Sequence, residues 1–181
     1  MKQINQDFFA RNTLVVAKEL LGKIIKVGNV SGMIVETEAY RDDPASHAYN
    51  KTLRSKLMYD TWGHVYVYFI YGNHWCLNFT TEKNKPGAVL IRALQPLSGI
   101  DLMKKRRKTE NIKQLTNGPG KLTQALGITN KFNGEVIGKH IKVFDNNLKF
   151  EIIQTTRIGI SVAKDLPWRF YIKGNPWVSK F

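Results

Sequence analysis

Between Asp7 and Leu21 the apolar positions Phe8, Phe9, Leu14, Val15, Ala17, Leu20 and Leu21 recur with a mostly helical period. This predicts an amphipathic helix or helix pair, with Asn12 or Thr13 as N-cap and Gly22 as its end. The period then changes. Residues 23–27 and 32–40 read as strands around a Gly28-Asn29 turn, and residues 65–71 and 75–81 as a second hairpin around Gly72-Asn73, because a Gly-Asn pair between β-branched and aromatic runs is a strong hairpin signal. Residues 41–62 have no clear period and hold Pro44, which predicts a long loop with a short helix. A strand over 88–94 is expected to close at Pro96. Ser98 is the expected cap of a helix through Leu102 and Met103, and a short helix is expected over 121–127. Strand patterning returns at 136–143, 149–154, 157–163 and 168–172. The pattern predicts an antiparallel, sheet-based core and one domain spanning 1–181, with no repeat and no linker.

Composition narrows the class. A chain of 181 residues, 43% hydrophobic, buries a core without disulfides or a structural metal. Cys76 is the one cysteine, so no intramolecular disulfide forms, and no Cys-rich or His-x-x-x-His spacing offers a zinc site. The first dozen residues lack the apolar centre of a signal peptide, and no apolar run approaches the roughly 18 residues of a membrane span. An intracellular protein without a membrane anchor is expected. Lys and Arg outnumber Asp and Glu by 28 to 14, for a net charge of +14, which favours a polyanionic partner, nucleic acid first. Solubility is the plainer reading of that charge, and the run Lys104-Lys105-Arg106-Arg107-Lys108 reads equally as a solvated helix end.

Candidate chemistry gathers on the first hairpin. On a regular strand Glu36 and Glu38 point to one face, and Tyr40 joins them. Two such carboxylates fit either a solvated sheet face or a glycosidase, where one carboxyl protonates the leaving oxygen and the other supports the transition state. Strand parity does not say which glutamate acts. Tyr66, Tyr68 and Tyr71 follow on the second hairpin. Tyr71 precedes the turn, where an aromatic side chain either wedges between base steps or folds back on the sheet. Asn117-Gly118-Pro119-Gly120-Lys121 places backbone amides near a helix start, which suits a phosphate oxygen or an ordinary turn. The spacing is not that of a nucleotide-binding P-loop.

Ordered blocks along nearly the whole chain resemble the alkyladenine (3-methyladenine) DNA glycosylase family of the human type. They include Asp7-Phe8-Phe9-Ala10-Arg11, Ile34-Val35-Glu36-Thr37-Glu38-Ala39-Tyr40, Asp43-Pro44-Ala45-Ser46-His47-Ala48 and Val65-Tyr66-Val67-Tyr68-Phe69-Ile70-Tyr71-Gly72. Val89-Leu90-Ile91-Arg92-Ala93-Leu94, Asn117-Gly118-Pro119-Gly120-Lys121-Leu122, Arg157-Ile158-Gly159-Ile160 and Trp168-Arg169-Phe170-Tyr171-Ile172 extend the likeness. The chain departs from the family at Leu53 and Ser55 of Thr52-Leu53-Arg54-Ser55, where Thr-Pro-Arg-Asn is usual, and at Asn73, where methionine is frequent.

The resemblance implies an α+β fold: a single compact domain with a curved, mostly antiparallel β-sheet, peripheral helices and a protruding β-hairpin. It implies a monofunctional enzyme that flips alkylated or deaminated purines out of double-stranded DNA and hydrolyses the N-glycosidic bond with activated water. Glu38 would be the general base and Arg92 would help hold the water, with Glu36 a supporting strand residue. Tyr40, His47 and Tyr68 would line the base pocket, Asn78 would guard its floor against guanine, and Tyr71 would fill the gap in the duplex. Gly118, Gly120 and Lys121 are the candidate DNA-backbone contacts. No cofactor and no metal are implied, and a monomer is expected. The main rival is a noncatalytic nucleic-acid-binding protein, which explains the charge and the aromatics but gives Glu38 no task. A zinc deaminase lacks its Cys ligands, and a carbohydrate glycosidase leaves the charge unexplained.

Overall fold

Two Gly-Asn turns set the frame of the sheet. The computed structural model describes residues 1–70 and 72–179. Strand β1 (Lys2–Gln3) leads into a 3-10 turn at Gln6–Ala10 and helix α1 (Thr13–Glu19). Asn12, not Thr13, is the cap of α1: its side chain accepts from the Leu14 N–H. Gly22 follows with φ +83°, and the chain enters the hairpin of β2 (Ile24–Val27) and β3 (Val30–Tyr40).

β3 is the spine. Along one edge it pairs with β6 (Ala88–Ser98). Along the other it pairs first with β2, through Ile24 opposite Met33, and then with β9 (Arg169–Ile172), through Glu38 opposite Arg169. β4 (Val65–Ile70) and β5 (His74–Thr80) continue the sheet beyond β6, while β7 (Ile141–Asp145) joins β1 to β2 and β8 (Ile152–Thr155) flanks β9. Every pairing among the described residues is antiparallel. The expected α+β class and antiparallel sheet are therefore what the chain adopts. One face of β3 meets α1, where the Thr37 hydroxyl donates to the Ala17 carbonyl at 2.9 Å. Phe9, Leu20, Ile34, Phe79 and Phe170 are among the fully buried side chains of the core. No helix among the described residues is long and apolar enough to cross a membrane.

The second hairpin protrudes as expected. β5 pairs with β6 only from Asn78 to Thr80, whereas its pairing with β4 continues to His74. The outer part of the hairpin therefore has strand on one side only.

Three sequence expectations are corrected. Pro96 does not close β6, which runs on to Ser98: Pro96 stands opposite Gly32, where the register slips between Ser31 and Gly32, and a bulge tolerates the missing N–H. Ser98 does not cap the next helix. Its hydroxyl is hydrogen-bonded to that of Ser31 at 2.7 Å, and α3 (Ile100–Arg107) starts behind Gly99 at φ +72°. Residues 157–163 form no strand, because Gly159 at φ +76° and Ala163 at φ +48° turn the backbone out of the extended region. Elsewhere boundaries shift: the 136–143 strand is realised as β7, the 149–154 strand as β8, and the 121–127 helix as α4 (Pro119–Leu126). The long 41–62 loop carries a 3-10 turn at His47–Tyr49 and helix α2 (Lys56–Asp60).

A buried polar knot fastens α1 to the segment before β6. Thr13 donates to the Glu82 carboxylate through its N–H at 3.0 Å and its hydroxyl at 2.6 Å, and its Oγ1 lies 2.9 Å from Thr81 Oγ1. A Cβ at Gly87 would sit 2.4 Å from Thr13 Oγ1 and 2.7 Å from Thr81 Oγ1. Gly87→Ala is therefore expected to cost about 1–3 kcal/mol through overpacking, read as a lower urea midpoint at unchanged slope.

Candidate active site

The face of β3 opposite α1 carries the alternation read from the sequence. From Thr37 to Tyr40 its register with β6 is regular, with Glu38 opposite Leu90, and the Tyr40 hydroxyl donates to Glu38 Oε2 at 2.8 Å. Both Glu36 and Glu38 are 0% exposed, so the solvated-face reading does not hold. Burial of two carboxylates is tolerated only with partners, and the partners differ.

Glu36 is saturated. Its Oε1 accepts from Arg92 Nε at 3.0 Å, Arg169 Nη1 at 2.9 Å and the Ser179 hydroxyl at 3.0 Å, and its Oε2 accepts from the Ser179 N–H at 2.7 Å. Glu38 is held by three groups. Its Oε1 accepts from the Ile158 N–H at 2.7 Å and lies 3.2 Å from Arg92 Nη1, and its Oε2 takes the Tyr40 hydroxyl. Burial raises the Glu38 pKa, against the opposing pull of Arg92, Ile158 and Tyr40. Burial alone would lower Arg92, but Glu38 and Glu36 outweigh it and keep the guanidinium charged.

Beyond the partners of Glu38 opens a cleft of about 440 Å3, lined by Tyr40, His47, Tyr68, Arg92, Gly120 and the 158–162 loop, among others. This lies in the range of about 300–1,000 Å3 usual for small-molecule pockets. A recess of about 30 Å3 lies against Tyr40, His47, Tyr66, Tyr68 and Asn78. Asn78 is buried there and donates to the Tyr66 carbonyl at 3.2 Å. His47 Nδ1 is 2.8 Å from the Tyr66 hydroxyl, and its ring meets that of Tyr68 edge-on at 4.6 Å. Burial, reinforced by the charge of Arg54, lowers the His47 pKa to about 4, so the ring is neutral at pH 7. Burial likewise pushes the Tyr66 phenol to about 12 and the Cys76 thiol to about 11.

The chain thus brings together Glu38, Arg92, Tyr40, His47, Tyr68 and Asn78. Gly120 reaches the cleft wall. Gly118, the N-cap residue of α4, does not line it, and Lys121 turns back to bond Asn117 Oδ1 at 2.9 Å. Tyr71 lies outside the described residues.

A model of the methylpurine-DNA glycosylase family matches residues 7–176. The chain belongs to that family. It is 47% identical to a protein of Clostridium novyi (strain NT), with 99% of this chain and 100% of the relative covered. It is 48% identical to a protein of Agrobacterium fabrum (strain C58), with 98% and 93% covered, and 48% identical to one of Prosthecochloris aestuarii, with 99% and 92% covered. All three bear the name "Putative 3-methyladenine DNA glycosylase".

In this methylpurine-DNA glycosylase family member, sequence reasoning missed three contributors to the site, among them Arg169 of β9, which donates to Glu36. Ile158 acts through its backbone N–H, which no side-chain pattern reveals, and Ile158, Ile160 and Val162 alternate as a strand would. Ser179 reaches Glu36 from the far end of the chain. Gly159 was the available signal that residues 157–163 turn.

The two carboxylates respond oppositely to neutralisation. Glu36→Gln withdraws a charge on which two buried guanidinium groups rely and is expected to cost about 3–5 kcal/mol. Glu38 has a folded-state pKa raised above the ordinary 4.5. Its contribution to stability is complete at acid pH and is lost as pH rises through the folded pKa. Glu38→Gln is therefore expected to hold or raise stability at pH 7. Urea unfolding of both variants checks the pair, and equal losses would contradict it.

Proposed function

We propose that this DNA glycosylase extrudes an alkylated purine from double-stranded DNA into the aromatic cleft and hydrolyses its N-glycosidic bond, with Glu38 as general base. The observation that carries this is that the three groups holding the Glu38 carboxylate, Tyr40, Arg92 and Ile158, all line the aromatic cleft. A carboxylate offers about four acceptor sites, and among the described residues Ile158 and Arg92 meet Oε1 while Tyr40 meets Oε2. The remaining Oε2 site is where an attacking water would donate. Of the groups that hold Glu36, Arg92 lines the cleft but Arg169 and Ser179 do not, so Glu36 is not placed as the second carboxyl that a carbohydrate glycosidase requires.

The chemistry is suited to one carboxylate. Glu38 takes a proton from water, the water oxygen bonds to C1′, and the C1′–N bond breaks with its electron pair passing to the purine nitrogen. When that nitrogen belongs to an N3- or N7-alkylated ring, the pair neutralises a cation, and no acid is needed. Arg92, held between Glu36 and Glu38, stabilises the deprotonated base.

The pocket favours the same substrate. Tyr40 and Tyr68 offer aromatic faces, which attract cations, and the neutral His47 adds no repelling charge. Asn78 in the recess would obstruct the exocyclic amine of guanine. The net charge of +14 supplies phosphate attraction. None of the described residues lining the cleft is a lysine, which supports hydrolysis without a Schiff base.

Base release from alkylated duplex DNA tests the reading. Glu38→Gln is expected to slow single-turnover release by about 10²–10⁴-fold while affinity for abasic-site DNA is kept. In the wild type, release should rise with pH through a midpoint above 4.5, since the base works deprotonated and its pKa is raised. Hypoxanthine, a neutral leaving group that needs a proton, should be released more slowly and lose rate toward alkaline pH. Wild-type binding without release would instead mark a noncatalytic nucleic-acid binder.

A further inference from the structure

The 158–162 loop and the His47 loop form part of the cleft, yet neither belongs to the sheet, so something else must hold them in register. A buried ion pair does so. Arg157, whose side chain is 0% exposed, donates from Nη2 to Asp43 Oδ1 at 2.6 Å and from Nη1 to Asp43 Oδ2 at 3.1 Å and to the Ala39 carbonyl at 3.2 Å. Its guanidinium carbon lies 4.8 Å from the ring centre of Tyr40 and 5.1 Å from that of Trp168. Asp43 in turn accepts from the Ala45 N–H at 3.0 Å and the Arg41 N–H at 3.4 Å, shaping the turn that leads to His47.

The geometry points to Arg157 and Asp43 as positioning residues for excision: their pair fixes the loop that aims the Ile158 N–H at Glu38 and backs the ring that Tyr40 presents to the base. Arg157 is the residue next to Ile158, so a guanidinium anchored at three oxygens sets where that N–H lies. The bidentate fork and the aromatic contacts require arginine, because a lysine ammonium makes neither in this form. The inference rests on Glu38 acting as the base.

The groups facing Glu38 are Arg92 from β6, Glu36 and Tyr40 from β3, Tyr68 from β4, Cys76 from β5 and the Ile158 N–H from the loop. The variants replace none of these residues; they loosen the Ile158 N–H contact and the backing of Tyr40, whose hydroxyl also donates to Glu38. A hydrogen bond to the charged form favours it, so weakening that bond raises the pKa of the base.

The experiment is single-turnover release of 7-methylguanine from duplex DNA as a function of pH, for the wild type, Arg157→Lys, Asp43→Asn and Glu38→Gln, with thermal unfolding and abasic-site affinity in parallel. Both positioning variants are expected to move the acid-side midpoint up by about one unit, so that release on the acid limb falls about tenfold, with abasic-site affinity changed little. Asp43→Asn keeps the size of the side chain and an acceptor for the Ala45 N–H, and it decides the matter if Arg157→Lys does not fold. An unmoved midpoint, with only a lower melting temperature or a rate reduced equally at every pH, overturns the positioning role while leaving Glu38 as the base. Retained turnover in Glu38→Gln overturns the base assignment itself, and the positioning role with it.

Discussion

Everything in this molecule is arranged around one electrostatic problem: two carboxylates two residues apart on a single strand, both withdrawn from water. An isolated buried carboxylate is too costly to remain ionised, and a like charge close by makes it worse. Arg92 answers both at once, since its Nε serves Glu36 and its Nη1 faces Glu38. That solution imposes the topology. β6 must run beside β3 to deliver Arg92, β9 must run along the other edge to deliver Arg169, and the chain end must return to deliver Ser179.

The division of labour between the glutamates follows from unequal supply. Four donors converge on Glu36, so its negative charge is a fixed counterweight that holds Arg92 in place. Glu38 receives fewer donors, and burial leaves it above its ordinary pKa. A carboxylate wanted only for stability would be better served by the first arrangement. The second leaves the group strained toward accepting a proton, the condition that pairs of titratable groups in functional sites commonly show.

Much of this was legible in the residues. The alternation of Glu36, Glu38 and Tyr40 placed them on one face, and the Gly-Asn turns marked both hairpins, because period and turn chemistry are local properties. Arg92, His47 and Asn78 came from the resemblance, since their meeting depends on long-range pairing. What stayed hidden had physical causes. Ile158 contributes a backbone group, Pro96 is absorbed by a bulge that only its partner Gly32 reveals, and Ser98 spends its hydroxyl across the sheet on Ser31 instead of on its own helix. The 157–163 segment has the alternation of a strand, but Gly159 and Ala163 take its backbone out of the extended region.

The hairpin of β4 and β5 joins two places by a fixed length. Asn78, at the recess, and His74, at the outer end, belong to one strand, and four residues of strand span about 13 Å. The sheet holds the inner end through β6, and α4 packs on the outer end, where the Thr123 hydroxyl donates to the Trp75 carbonyl at 3.0 Å. The strand is thus a ruler built into the fold: lengthening each strand of the hairpin by two residues at the tip would move it outward by about 7 Å without shifting the recess. Reach and fit are set by separate stretches of the same strand, so either can change in a relative without redesign of the other.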